Sequence, residues 1–231
     1  MANLMTTSPR IPELCAGEVL TRDEFHRRYS AMPHVKKAEL IEGVVYMGSP
    51  VRFDRHSRPE GAFAAWVALY REFTPGLHSG TNATVRVDLD NEPQPDVLLC
   101  IPESAGGQSC ISVDGYIEGA PELIVEVAAS SVSYDLHQKK DVYRRSGVCE
   151  YLVLRVDDGE LDWFVLRAGA YVRQSPDADG LLHSVTFPGL TLDPGALLRE
   201  DFGALRRRIE VATRTAEHAA FVQRLRAAGQ A

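Results

Sequence analysis

Residues 95–101 and 121–128 are two short, almost wholly apolar runs, and they constrain what this chain can fold into more than any other feature of it. Both read as central strands covered on two faces. Each nevertheless carries a carboxylate where none is expected. Asp96 follows Pro95 and opens Val97-Leu98-Leu99-Cys100-Ile101, and Glu126 sits inside Leu123-Ile124-Val125-Glu126-Val127-Ala128. A glutamate is rarely buried without a partner, because stripping water from a lone carboxylate is costly. Alternation along the strand puts Glu126 on the face of Ile124 and Ala128, where the small alanine leaves space beside it.

Two half-buried carboxylates on adjacent strands repel each other unless a cation sits between them. A hard divalent ion such as Mg2+ or Mn2+ prefers carboxylate and carbonyl oxygens. It could take Asp96, Glu126 and the backbone carbonyl near Val127 as protein ligands. Residues 134–146 read as a helix stopped by Gly147. On it Asp135, Lys139 and Tyr143 are spaced four apart and share a face. That order favours an Asp135–Lys139 ion pair, and a lysine aimed at the metal site could stabilise charge on a phosphate. Glu42, with Glu39 nearby, could add an acid from a strand region that pivots at Gly43.

The rest of the chain alternates strands and helices. Thr21 and Glu24 form a capping-box pattern for a short helix ending near residue 29. Residues 59–73 carry Phe63, Trp66, Val67 and Tyr70 at helical spacing. Residues 84–89 alternate as a half-buried strand, and glycine-rich residues 102–120 read as a loop. Residues 150–156 and 161–166 are strands joined by Asp157-Asp158-Gly159, with a further edge strand near Tyr171. From Asp201 a helical stretch puts Leu205, Ile209, Ala212 and Ala216 on one stripe, which packs on the domain or on a partner subunit. The expectation is a mixed α/β (α+β) fold with a central mixed sheet flanked by helices. Residues 1–19 are expected as an arm, 20–200 as the domain and 201–231 as a C-terminal helical extension.

Glu39-Leu40-Ile41-Glu42-Gly43, Pro95-Asp96, Pro121-Glu122-Leu123-Ile124-Val125-Glu126-Val127, Asp135-x3-Lys139-x3-Tyr143 and Gly147-Val148-x-Glu150-Tyr151 occur in this order. The ordered set resembles the Uma-two family of restriction-endonuclease-like proteins, within the PD-(D/E)xK nuclease superfamily, over roughly residues 20–170. The resemblance implies a restriction-endonuclease-like fold, Asp96 and Glu126 as metal-binding carboxylates, and Glu42 as an accessory acid. The superfamily's usual lysine would stand two residues after Glu126, where this chain has Ala128. In the family that role passes to the following helix, hence to Lys139. His56 falls near a histidine often seen before the family's first long helix. Leu152 stands where tryptophan is common, and Ala129-Ser130-Ser131 replaces a serine-proline turn; both departures leave the acids and the lysine in place.

The implied activity is Mg2+- or Mn2+-dependent hydrolysis of phosphodiester bonds, with DNA as substrate and a homodimer able to cut both strands. Two other readings are a nuclease-fold binding or regulatory module that no longer cuts, and a metal-dependent hydrolase of a small phosphoester. A net charge of −7 argues against sequence-blind binding through a broad basic surface, though basic groups can still line one cleft. Cys15, Cys100, Cys110 and Cys149 share no metal-binding spacing and read as free thiols of a reducing cytoplasm. No run is long and apolar enough to span a membrane. HExxH, Walker, GxGxxG and Gly-x-Ser-x-Gly motifs are absent from the sequence.

Overall fold

In the computed structural model, which describes residues 10–229, the two apolar runs lie side by side in a six-stranded sheet. The chain enters through helix α1 (Arg22–Ser30), capped by the Thr21 hydroxyl, and a hairpin of β1 (Ala38–Ile41) and β2 (Val44–Met47). A π-turn at Phe53–Ser57 leads into α2 (Arg58–Phe73). Strands β3 (His78–Thr81), β4 (Val85–Arg86) and β5 (Val97–Cys100) follow, then β6 (Ser109–Ile111), β7 (Ile117–Gly119) and β8 (Leu123–Ala128). A helical segment comes next, made of α3 (Val132–Tyr134), a π-turn at Asp135–Lys139 and α4 (Lys140–Ser146). Strands β9 (Glu150–Arg155), β10 (Glu160–Arg167) and β11 (Ala170–Arg173) complete the main sheet. The short pair β12 (Leu182–His183) and β13 (Thr191–Leu192) precedes α5 (Pro194–Leu198), α6 (Phe202–Ala212) and α7 (Ala216–Ala228).

The sheet order is β11-β10-β9-β8-β5-β3, and it is mixed because β8 and β9 run parallel while the other pairs are antiparallel. A parallel pair needs a crossover, and the helical segment 132–146 supplies it. Period-two alternation then divides the core. Leu123, Val125 and Val127 of β8 pack with Trp66, Leu99, Leu154 and Trp163 on the α2 side. Ile124 and Ala128 pack with Tyr143, Val148 and Tyr151 on the crossover side. Glu126 therefore points at the crossover helix, on the face expected from the sequence.

Three segments differ from the sequence reading. Residues 102–120 hold β6 and β7, and β7 pairs with both β6 and β4 in a separate three-stranded sheet. The half-buried strand expected at 84–89 is only β4, and Leu89 is exposed. Lone strands of this length depend on tertiary partners that a local pattern does not encode. The helical stretch after Asp201 breaks at residues 213–215, where Thr215 caps α7. Ala216 is consequently exposed, while Leu205 and Ile209 of α6 and Phe221 and Leu225 of α7 join the α2-side core. Of the arm expected at residues 1–19, residues 1–9 lie outside the described residues. Leu14 is buried, and Gly17 N–H donates to the Val45 carbonyl at 2.8 Å, so the following stretch lies along the hairpin.

Because α7 contributes to the same core, truncating Phe221, which is 2% exposed, should destabilise the whole domain. Phe221→Ala should lower unfolding free energy in a denaturant titration by about 3 kcal/mol. A loss below about 0.5 kcal/mol would mean that α7 is not part of the cooperative core.

Candidate active site

The backbone places the two acids first. Pairing between β5 and β8 runs from Leu99–Leu123 to Val97–Val125. The next step in that antiparallel register would match Asp96 with Glu126. The ladder stops there, and the Asp96 side chain takes its place: Oδ2 accepts the Val127 N–H at 2.8 Å. The carbonyl of Ala128 accepts Val156 N–H on the β9 side, so alternation turns the Val127 carbonyl the other way, towards the edge where β5 has ended. Asp96 is 1% exposed and Glu126 3% exposed.

The crossover segment and the hairpin close in from the other side. Glu126 Oε1 accepts from Lys139 Nζ at 2.8 Å and from the Tyr143 hydroxyl at 2.9 Å. Lys139 Nζ also lies 2.8 Å from Glu39 Oε1. Glu39 is held by the Gln94 N–H at 2.8 Å, and β1 is tied through Leu40 to Glu92, on the segment that runs into Asp96. The opposite side of Asp96 carries cations. Lys37 Nζ stands 3.0 Å from Oδ1, and His56 Nε2, from the π-turn before α2, stands 3.2 Å from the same oxygen. Glu60, one turn into α2, adds a carboxylate: the potential ligand atoms of His56, Glu60 and Asp96 lie within 4.8 Å of one another. Lys37, Glu39, His56, Glu60, Asp96, Glu126 and Lys139 line one open cleft of about 730 Å³.

Burial raises the Glu126 carboxyl pKa to about 8; Lys139 opposes the shift, while Asp96 and Asp135 add to it. Burial also acts on Asp96, but there the His56 hydrogen bond and the Lys37 charge win, and its pKa falls below the ordinary carboxylate range. Burial opposes the charge on Lys139, yet Glu126, Glu39 and Asp135 hold its pKa well above the usual lysine value. The hydrogen bond to Asp96 raises His56. The site is thus a buried cluster of acids held by two ammonium groups and an imidazole.

A family model described as "Uma2: Putative restriction endonuclease" matches residues 22–195, well over half of the chain. The chain belongs to the Uma2 family. Among solved structures, one similar chain is titled a "putative nuclease belonging to DUF820" from Anabaena variabilis. The likeness has a TM-score of 0.57 and 14% identity, covering 75% of this chain and 96% of that one, and it speaks for the fold. Among curated proteins none matches this chain.

Within this Uma2 chain, Asp96, Glu126, Val127, Asp135, Lys139 and His56 all line the cleft, and Tyr143 lies behind Glu126. Glu42 does not reach it. It occupies the two-residue turn of the β1–β2 hairpin at φ 52°, its N–H donates to Asn91, and its carboxylate pairs with Arg145 at 2.8 Å. Glu39 and Glu42 are three residues apart, so a strand puts them on opposite faces, and the acid facing Lys139 is Glu39. The Asp135–Lys139 pair is not among the ion pairs of the described residues. The π-turn changes the angular spacing, and Asp135 accepts the Ser131 hydroxyl instead. Lys37, Glu60 and Tyr134 were not singled out from the sequence; their segments carry no pattern that marks them. Only His56 and Glu60, four apart ahead of a helical pattern, left a faint trace.

The donor set suits a hard divalent cation. Both donors to Glu126 use Oε1, and among the described residues no hydrogen bond reaches Oε2, although Glu126 faces the cleft. A carboxylate oxygen without a donor, a second buried acid and a free-edged carbonyl are oxygen ligands of the kind such ions prefer.

The raised Glu126 pKa has a definite sign for stability. The stability associated with the neutral carboxyl is full below the ordinary glutamate range and is lost as pH rises through about 8. In chelator, wild type should therefore lose stability relative to Glu126→Gln between about pH 5 and pH 9, and the variant should lead by roughly 1–2 kcal/mol at the upper end. Thermal or urea melts with parallel pH dependence for the two proteins would refute this.

Proposed function

We propose that this protein is a divalent-metal-dependent endonuclease that hydrolyses phosphodiester bonds in DNA. The observation that carries the reading is the meeting of Asp96, Glu126 and Lys139 at the ends of two adjacent strands, inside a cleft large enough for a nucleic-acid backbone. Asp96, Glu126 and the Val127 carbonyl would hold Mg2+ or Mn2+. When bound, such an ion polarises a phosphoryl oxygen and makes water a better nucleophile near neutral pH.

The chain's own residues supply the rest. Lys139 and Tyr143 fix the orientation of Glu126, and Glu39 fixes Lys139. The Val127 N–H locks the Asp96 carboxylate. The net charge of −7 is compatible with DNA because Lys37, Arg52, Arg55 and His56 are gathered along the cleft. Among the described residues no helix is long and apolar enough to cross a membrane, and Cys15, Cys100, Cys110 and Cys149 are all free thiols. A cytoplasmic setting and a homodimer belong to the same proposal. The binding-module reading has one observation in its favour: both Asp96 oxygens already have protein partners, so the fold does not require an ion there.

A plasmid-nicking assay with Mn2+ decides between them. Wild type should nick supercoiled plasmid, chelator should abolish nicking, and Glu126→Gln and Asp96→Asn should slow it by at least about 10²-fold. Metal binding without cutting would favour the binding module, and turnover of a chromogenic diester alone would favour a small phosphoester.

A further inference from the structure

We propose that Lys37, and not Lys139, is the ammonium group that meets a substrate phosphate, with the imidazole of His56 beside it. The proposal rests on the nuclease reading above. Two lysines reach the acids, and their surroundings differ. The Lys139 side chain is 3% exposed, with Nζ at 2.8 Å from both Glu126 Oε1 and Glu39 Oε1 and 5.6 Å from the centre of the Tyr134 ring. An ammonium has three protons to donate, and two of these point at buried carboxylates. To reach a phosphate, Lys139 would have to give up both buried carboxyl partners at once, which is strongly unfavourable. Its geometry suits a positioning residue that sets the direction of Glu126.

Lys37 is placed differently. Its side chain is 26% exposed and lines the cleft, and its one close charged partner among the described residues is Asp96 Oδ1 at 3.0 Å. The amide oxygen of Asn82 is 3.4 Å from Nζ. His56 Nε2, on a side chain 22% exposed, shares that same Oδ1 at 3.2 Å. Two cationic donors converge on one carboxylate oxygen, whose place as acceptor a phosphate oxygen could take. A cation taking over the charge of Asp96 would leave both donors free without stranding the acid, so metal and phosphate would favour each other. The backbone also fixes the position of Lys37. Its carbonyl accepts the Gly48 N–H at 3.0 Å, and a Cβ at Gly48 would come within 3.1 Å of Lys37 Cβ and 3.2 Å of its oxygen. The end of β2 therefore presses on Lys37, and a side chain at Gly48 would push Lys37 out of its present position.

The test measures binding without turnover. Anisotropy of a short fluorescein-labelled DNA duplex in Ca2+ is followed against salt concentration, with Mn2+ titration calorimetry alongside. Lys37→Met should weaken duplex binding about tenfold and lower the salt slope by about one. Its Mn2+ affinity should be equal to or tighter than wild type, because a competitor for Asp96 is gone. Lys37→Arg should recover most of the duplex affinity. Gly48→Ala should weaken duplex binding in the same direction, and it carries the test if Lys37→Met does not fold. Duplex affinity and salt slope unchanged in both variants, with wild type binding Mn2+ and DNA, would overturn this proposal alone. Wild type that binds neither Mn2+ nor duplex would overturn the nuclease reading and this proposal with it.

Discussion

The buried ammonium of Lys139 between Glu126 and Glu39 is the contact on which the rest of the site depends. It joins three parts of the fold at one point: the central strand β8, the crossover helix and the β1–β2 hairpin. Each of the three side chains is taken out of water, so each is tolerable only because the others are in place, and loss of one partner from such a buried cluster typically costs about 3–5 kcal/mol. The hairpin is consequently more than a flap over the sheet. Its register is set by Leu40 bonding to Glu92, and that register delivers Glu39 to Lys139 and Lys37 to Asp96 together.

Much of this was legible in the sequence because it rests on local periodicity. Two apolar runs mark central strands, and alternation within the second fixes the face of Glu126. Spacing along residues 135–143 brings Lys139 and Tyr143 to that face, and both do contact Glu126. The Asp157-Asp158-Gly159 turn, the Thr21 cap and the Gly147 stop are also local, and the structure has each of them. The mixed sheet follows from these elements, since a helix between two apolar strands implies a parallel pair.

What the sequence did not yield is long-range or depends on one step of phase. Lys37 lies 59 positions from Asp96 in the chain, and nothing near it signals that contact. Glu39 and Glu42 stand in one short motif, and only the phase of the strand decides which faces inward. The π-turn at Asp135–Lys139 breaks the assumption of 3.6 residues per turn, so Lys139 still reaches Glu126 while its expected pairing with Asp135 is not formed. The loop expected at 102–120 is folded as β6 and β7 because β4 comes to pair with β7, a partner no local pattern announces.

Charge balance explains how a cleft lined by many acids can be stable and, on the proposed function, still accept an ion. Asp96, Glu126, Glu39, Asp135 and Glu60 face Lys37, Lys139 and His56 around one cavity. Counted with Arg52, Arg55 and Asp157, which line the same cleft, and with every group ionised, six acids face five cations, so the lining carries a small net negative charge. Without a bound cation, protonation falls on the acid whose burial is least compensated by neighbouring cations, and that is Glu126, whose carboxyl pKa is raised to about 8. Asp96, pinned by Val127 and flanked by two cations, stays ionised. The protein thus keeps one acid permanently charged and a second poised beside it, so a cation arriving at Asp96 would displace the Glu126 proton. On the proposed metal-dependent function, such a site would give up some stability of the metal-free fold in exchange for affinity towards the ion, with the deep burial of Glu126 within a strand as the structural source of that tension.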